Sequence, residues 1–168
     1  MDDVPRSTLT TVQRESMAKV AILLGSKTDE QVMQGCADYL SHFGISYEWK
    51  ISSAHRQPEE TAAFVRQAEA GGYSLIIAAA GMAAHLPGFA ASLTTLPVIG
   101  VPLEGSALHG VDALYSIVQM PAGIPVATVA VGPAGAKNAA VLAAEILGLQ
   151  DAAIKQKLLA FRKNGSKF

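Results

Sequence analysis

The stretch KVAILLGSKTDEQVMQGCADYLSHFG, Lys19 to Gly44, decides the fold. Its opening, Val20 to Leu24, is an unbroken apolar run of strand length, stopped by Gly25 and Ser26. Beyond the stop, Val32, Met33, Cys36, Tyr39, Leu40 and Phe43 recur at helical spacing until Gly44 ends the pattern. Strand, turn and helix thus form one unit, and the unit repeats along the chain. Tyr47 to Ile51 reads as a second strand, followed by the loop Ser52 to Gln57 and a helix that Pro58 opens, with Glu59 and Glu60 in its first turn and Gly71 and Gly72 at its end. Leu75 to Ala79, apolar throughout, is a third strand leading into a glycine- and alanine-rich turn. A fourth, Val98 to Val101, is fenced by Pro97 and Pro102. A helix over Val111 to Val118, a fifth strand over Val126 to Val131 and an alanine-rich helix over Ala136 to Leu147 complete the alternation. Short apolar runs alternating with helical patterns predict an α/β fold whose parallel strands are joined by crossover helices. The last segment, Asp151 to Lys163, carries Ile154, Leu158 and Phe161 on one stripe and is expected to dock on this subunit or a neighbour.

Composition narrows the class. At 168 residues the chain fits a single domain, expected over residues 18–168, behind a polar tail over 1–17 expected to be disordered. That tail has neither a signal peptide's apolar centre nor a membrane span's length. Half the residues are hydrophobic and only 16% are charged, which points to surface buried between subunits and hence to a homo-oligomer. A net charge of -1 provides no broad positive field for nucleic acid or for an acidic membrane, so any phosphate must be held by a local site. Cys36, the sole cysteine, has no disulfide partner in this chain and falls on the apolar stripe of its helix; it is expected in the core, and the cytoplasm is the default compartment.

Ligands of open parallel sheets bind beyond the carboxyl ends of the strands. Three such loops are unusually polar or glycine-rich: Gly25-Ser26-Lys27-Thr28-Asp29, Ser53-Ala54-His55-Arg56 and Ala80-Gly81-Met82-Ala83-Ala84-His85. In the first, Ser26 and Asp29 have the spacing of a capping box, and the same helix start could instead receive an anion. The loop is neither a Walker A sequence nor G-x-G-x-x-G, so nucleoside triphosphates and dinucleotides are not indicated. In the second, Arg56 offers paired planar donors suited to phosphate, and His55 can exchange a proton because an unperturbed imidazole titrates at about 6.5; the plain alternative is a surface Arg-His pair. In the third, residues with almost no side chain allow a ligand to approach the backbone beside His85, while the plain alternative is a buried, hydrogen-bonded histidine. His42 and His109 lie outside these loops and read as structural or exposed. No cluster has metal-ligand spacing, and no cofactor is indicated.

Taken together and in order, these loops resemble the N5-carboxyaminoimidazole ribonucleotide mutase family of purine synthesis. The likeness runs from about Lys19 to Leu149. It is carried by G-S-K-T-D at Gly25 to Asp29, S-A-H-R at Ser53 to Arg56, A-A-H-L-P-G at Ala83 to Gly88 and L-P-V-I-G-V-P at Leu96 to Pro102. S-I-V-Q-M-P-A-G-I-P-V at Ser116 to Val126 and G-A-K-N-A-A at Gly135 to Ala140 extend it. The resemblance implies a three-layer αβα flavodoxin-like parallel sheet, assembled as an octamer with sites at subunit contacts. It implies that Ser26, Asp29, Ser53 and Arg56 hold the ribose phosphate of a small ribonucleotide and that His55 is the general acid and base. It implies also that His85, with the backbone of Gly81, Ala83, Ala84 and Leu86, surrounds a migrating carboxylate. The chain departs from the usual family pattern at Ala79 and Met82, where glycine is common, and at Glu104 and Ser106. Met82 bears most directly on the carboxylate loop, because a side chain there narrows the pocket or restricts the backbone.

Two other functions fit parts of this pattern. One is a carboxylase that joins free carbon dioxide to aminoimidazole ribonucleotide; the intact H-L-P-G at His85 to Gly88 favours the mutase over it. The other is a non-catalytic nucleotide-binding module on the same fold, against which the two loop histidines argue, since holding phosphate does not require them.

Overall fold

The computed structural model describes residues 18–168. The segment read as a polar tail, residues 1–17, lies outside the described residues. Five strands, β1 (Lys19–Leu24), β2 (Ser46–Ile51), β3 (Tyr73–Gly81), β4 (Val98–Leu103) and β5 (Ala127–Thr128), form one parallel sheet in the order β2-β1-β3-β4-β5. This is the flavodoxin-like order. Helices α1 (Glu30–Phe43), α2 (Pro58–Gln67), α3 (Leu86–Ala91), α4 (Val111–Val118), α5 (Pro133–Leu147) and α6 (Ala152–Lys163) cover its faces.

Strand periodicity explains the three layers. Side chains alternate across a strand, so Val20, Ile22 and Leu24 of β1 join one core while Ala21 and Leu23 join the other. The first core packs on Met33, Cys36, Leu40 and Phe43 of α1, the alanines of α5, and Ile154, Leu158 and Phe161 of α6. The second packs on Val65 of α2, Leu86 and Ala90 of α3, and Ala113 and Ile117 of α4. Cys36 is fully buried, as its place on the stripe foretold, and burial pushes its thiol up to about 12. The C-terminal helix docks on its own chain, where Phe161 meets Phe43 and Tyr39 edge to face.

Three elements differ from the sequence reading. β4 was expected to stop at Val101 before the fence of Pro102, yet it runs through Pro102 to Leu103, both paired with β3. The fifth strand was expected over Val126 to Val131, yet only Ala127 and Thr128 pair in register with β4. Pro102 of β4 has no N–H, so the ladder loses a donor where it would continue, although Val129 and Gly132 still donate to the carbonyls of Gly100 and Pro102. Between the third and fourth strands lies α3, for which the sequence reading offered no helix.

The order of the strands fixes where a ligand can sit. The chain leaves β2, passes over β1 and enters the sheet again as β3, so the crossovers diverge between the carboxyl ends of β1 and β3. A crevice opens at such a switch point. The loops after β1, β2 and β3 are the three that the sequence singles out.

Candidate active site

The β1–α1 loop is a single 3-10 turn, Lys27–Asp29, running into α1. Ser26 caps it: its N–H donates to Asp29 Oδ2 at 3.0 Å, and its Oγ accepts from the Thr28 N–H at 3.4 Å. The capping box read from the spacing is present. Burial holds the Asp29 carboxyl above its ordinary value, opposed by the hydrogen bond from Ser26. Gly25 donates to the Ala79 carbonyl at 3.3 Å, which ties this loop to the end of β3.

A buried clamp shapes the β2–α2 loop. Ser52 and Thr61 are fully buried and their hydroxyls lie 2.6 Å apart. Thr61 donates to the Gln57 carbonyl at 2.8 Å; its single proton is then committed, so Ser52 is the donor between the two. Arg56 and Gln57 donate in turn to the Ser53 carbonyl, at 3.2 and 2.7 Å. The closed loop holds Ser53 half-buried and leaves His55 and Arg56 exposed. No salt bridge engages Arg56 among the described residues.

In the β3–α3 loop, Ala84 donates to the Met82 carbonyl at 2.8 Å, and His85 stands just before α3. Met82 has φ 56°, the left-handed conformation seldom adopted by a residue with a side chain. The His85 ring stacks on that of His55, with centroids 5.1 Å apart and planes inclined at 29°, and meets Phe89 edge to face at 5.5 Å.

These loops surround one cavity of about 430 Å³, the size of a small-molecule site. Every residue singled out from the sequence lines it: Ser26, Asp29, Ser53, His55, Arg56, Gly81, Ala83, Ala84, His85 and Leu86. Neither His55 nor His85 takes the plain alternative in full, since both are exposed yet share the cavity. His42 lies elsewhere, stacked on Phe168 at 4.2 Å, and His109 is exposed. Sequence reasoning placed Gly25, Thr28, Ala54 and Ala80 in the three loops without giving them a role of their own, did not reach Gly105, and gave Glu104 no role. Glu104 and Gly105 follow β4, so the rule that points to carboxyl ends of strands would also have reached them. Among the described residues no three His, Cys, Asp or Glu side chains stand close enough to share a metal ion. None of the described helices is long and apolar enough to cross a membrane.

The arrangement offers a guanidinium with no ion-pair partner among the described residues, a capped helix entry and two adjacent imidazoles around a space with small walls. Comparison with known proteins gives it a family: the model described as AIR carboxylase matches residues 19–167. The chain belongs to the AIR carboxylase family. All the loops of the cavity lie within the residues matched to that family. Among its relatives, N5-carboxyaminoimidazole ribonucleotide mutase of Vibrio parahaemolyticus is 55% identical over 144 residues, covering 86% of this chain and 89% of that protein. The protein of the same name from Escherichia coli K12 is 51% identical over 150 residues, 89% of each chain. The crystal structure of Treponema denticola PurE superposes with a TM-score of 0.80 at 33% identity, covering 89% of this chain and 92% of that one. This member of the AIR carboxylase family therefore shares sequence and fold with those relatives over nearly their whole length.

Proposed function

We propose that this chain is an N5-carboxyaminoimidazole ribonucleotide mutase, an isomerase that moves a carboxylate from an exocyclic nitrogen to a ring carbon of the aminoimidazole in purine synthesis. The relatives that carry this name, at just over half identity, support it. The observation that carries it is the His55 and His85 pair stacked at 5.1 Å inside a cavity that also holds Arg56, Ser26 and Asp29. A proton carrier beside a phosphate anchor is what the reaction requires.

In this reading Arg56, Ser53, Ser26 and Asp29 hold the ribose phosphate, with the guanidinium making paired charge-assisted bonds. His55 protonates the exocyclic nitrogen as its bond to the carboxylate carbon breaks, and carbon dioxide is released into the cavity. The ring carbon attacks that carbon dioxide, and His55 takes up the proton the ring carbon loses. Such acid and base help contributes about a hundred- to ten-thousandfold in rate. Holding both fragments in one cavity makes recombination effectively unimolecular. His85 and the backbone of Gly81, Ala83, Ala84 and Leu86 surround the migrating carboxylate.

The oligomer belongs to the same proposal. Val111, Tyr115 and Val118 expose 48%, 67% and 48% of their surface along one side of α4, and Leu108, in the turn before it, exposes 62%; the stripe suits a second copy of the chain. The number eight comes from the family resemblance. Cytoplasmic residence is part of the reading as well, in keeping with a lone buried cysteine.

The test is incubation of the purified protein with N5-carboxyaminoimidazole ribonucleotide in bicarbonate-free buffer, with detection of the carbon-carboxylated isomer. Formation of the isomer is the expected result. The family description AIR carboxylase keeps one second reading in play, carboxylation by dissolved carbon dioxide. Product that appears only from aminoimidazole ribonucleotide with added bicarbonate would replace the mutase by that carboxylase.

A further inference from the structure

The helix that begins at His85 is too short to hold its own direction. α3 has six residues, less than two turns, and helices of that length are unstable in water, so packing must seat it. Leu86 and Ala90 join the core beneath it, and a Cβ on Gly100 would lie 3.3 Å from the Pro87 Cβ, which puts Pro87 on bare backbone of β4. A further contact comes from the segment between α4 and β5. On Gly88 a Cβ would come within 3.0 Å of Met120 Sδ and 3.4 Å of its Cε, so the thioether lies directly on the helix. Between its exposed neighbours Gln119 and Pro121, Met120 is half-buried, in keeping with a side chain turned inward. His85 has helical dihedral angles, φ -70° and ψ -27°, so Gly88, three residues on, is its neighbour along one helix face. The His85 side chain makes no capping hydrogen bond, while the Phe89 N–H donates to its carbonyl at 2.9 Å. The place of the imidazole therefore follows from the place of the helix.

We infer that Met120 is a positioning residue that seats α3 through Gly88 and so fixes where His85 stands relative to His55. This rests on the mutase reading, in which His85 surrounds the migrating carboxylate, and adds to it a residue that does not line the cavity. Small displacements decide the matter, because a misplacement of about 1 Å at a reacting centre costs about a hundredfold in rate. An unbranched thioether reaches across to a bare helix backbone and fills an irregular gap, which suits it to this contact. Glycine at 88 is the other half of the fit, since any side chain there would meet the sulfur. Remove the thioether and the space above Gly88 is empty; a helix of six residues then shifts toward it more easily than the sheet does.

The experiment uses the full chain as wild type, Met120→Ala and Met120→Leu, with two readings. One is steady-state kinetics on N5-carboxyaminoimidazole ribonucleotide; the other is the His85 imidazole resonance of the free protein by NMR, assigned by its loss in His85→Gln. In Met120→Ala, kcat falls by about tenfold or more while KM changes little, because Ser26 and Arg56 stand on other loops. The His85 resonance moves as its ring shifts against those of His55 and Phe89. Leucine has nearly the volume of methionine, and Met120→Leu restores both readings. Where Met120→Ala does not fold, Met120→Val takes its place, since it keeps bulk near the backbone but lacks the two atoms that touch Gly88. An unmoved His85 resonance in the shortened variant overturns the inference whatever the rate does. So does a moved resonance with full kcat, or a loss that Met120→Leu shares. The resonance is read without substrate, so if the wild type forms no isomer the mutase reading fails on its own, and the seating of His85 is still decided.

Discussion

At the scale of single residues, the division of labour between His55 and Arg56 is open to a contrast. They are adjacent in sequence, exposed on one loop and lining one cavity, yet only the imidazole can carry a proton near neutral pH. His55→Asn keeps a polar group of similar size and should bind the nucleotide while losing most turnover, on the order of a hundredfold or more. Arg56→Ala should show the opposite pattern, with binding weakened and kcat less affected, because it deletes charge-assisted bonds remote from the reacting bond. Steady-state kinetics with isothermal titration separates the two. Asp29 offers a pH test. Burial raises its folded pKa above 3.8, so the folded state holds the proton more tightly than the unfolded chain. Its ionisation therefore lowers stability as pH rises through the window just above that value, and the effect is absent below it. Asp29→Asn should remove this contribution, so that the difference in melting temperature between variant and wild type grows with pH across that window and levels off above it. A difference that does not change with pH would show that Asp29 titrates normally.

At the scale of elements, the loops depend on what stands behind them. Thr61→Val removes the hydroxyl and with it two bonds of the clamp behind His55, the one from Ser52 and the one to the Gln57 carbonyl, which keeps only its bond from the Thr61 N–H at 3.0 Å. Stability should fall by about 1–3 kcal/mol, and kcat should fall more than binding, whereas Thr61→Ser preserves both. Thermal melting beside kinetics checks this. Gly135 is held by packing: a Cβ there would lie 1.7 Å from the Ala130 carbonyl oxygen, an impossible approach between backbone segments. The helical gain from Gly to Ala is about 0.5–1 kcal/mol, against about 1–3 kcal/mol for overpacking. The contact wins, and Gly135→Ala should lower the urea midpoint. The sequence made most of these elements legible because buried parallel strands are continuous apolar runs and the covering helices have regular stripes. Where Pro87 and Gly88 interrupt six residues, no stripe can be seen, and α3 emerges only once Leu86 and Ala90 have a sheet to pack on. The shortened β5 was hidden for another reason: Val126 to Val131 reads as strand, but its pairing is limited by Pro102 on the neighbouring strand, a constraint from a partner that the run itself does not contain. The cavity loops were legible through residue type, whereas the left-handed backbone of Met82 and the stacking of two histidines 30 residues apart are products of the folded chain.

At the scale of the whole molecule, the exposed stripe on α4 is the feature a lone subunit handles least well. Tyr115→Glu sets a charge in its middle and should reduce the assembled mass seen by light scattering, with the secondary structure intact by circular dichroism. An unchanged mass would move the interface to another face. The two margins of the sheet are built differently from that stripe. On one side β2 carries Glu48 and Lys50 among its side chains, and on the other β5 pairs through only two residues before proline interrupts its neighbour. Margins that are charged or cut short give an incoming strand little to copy. In the proposed oligomer, copies that meet through helical surfaces are thereby spared recruitment into fibrous deposits through their sheet margins.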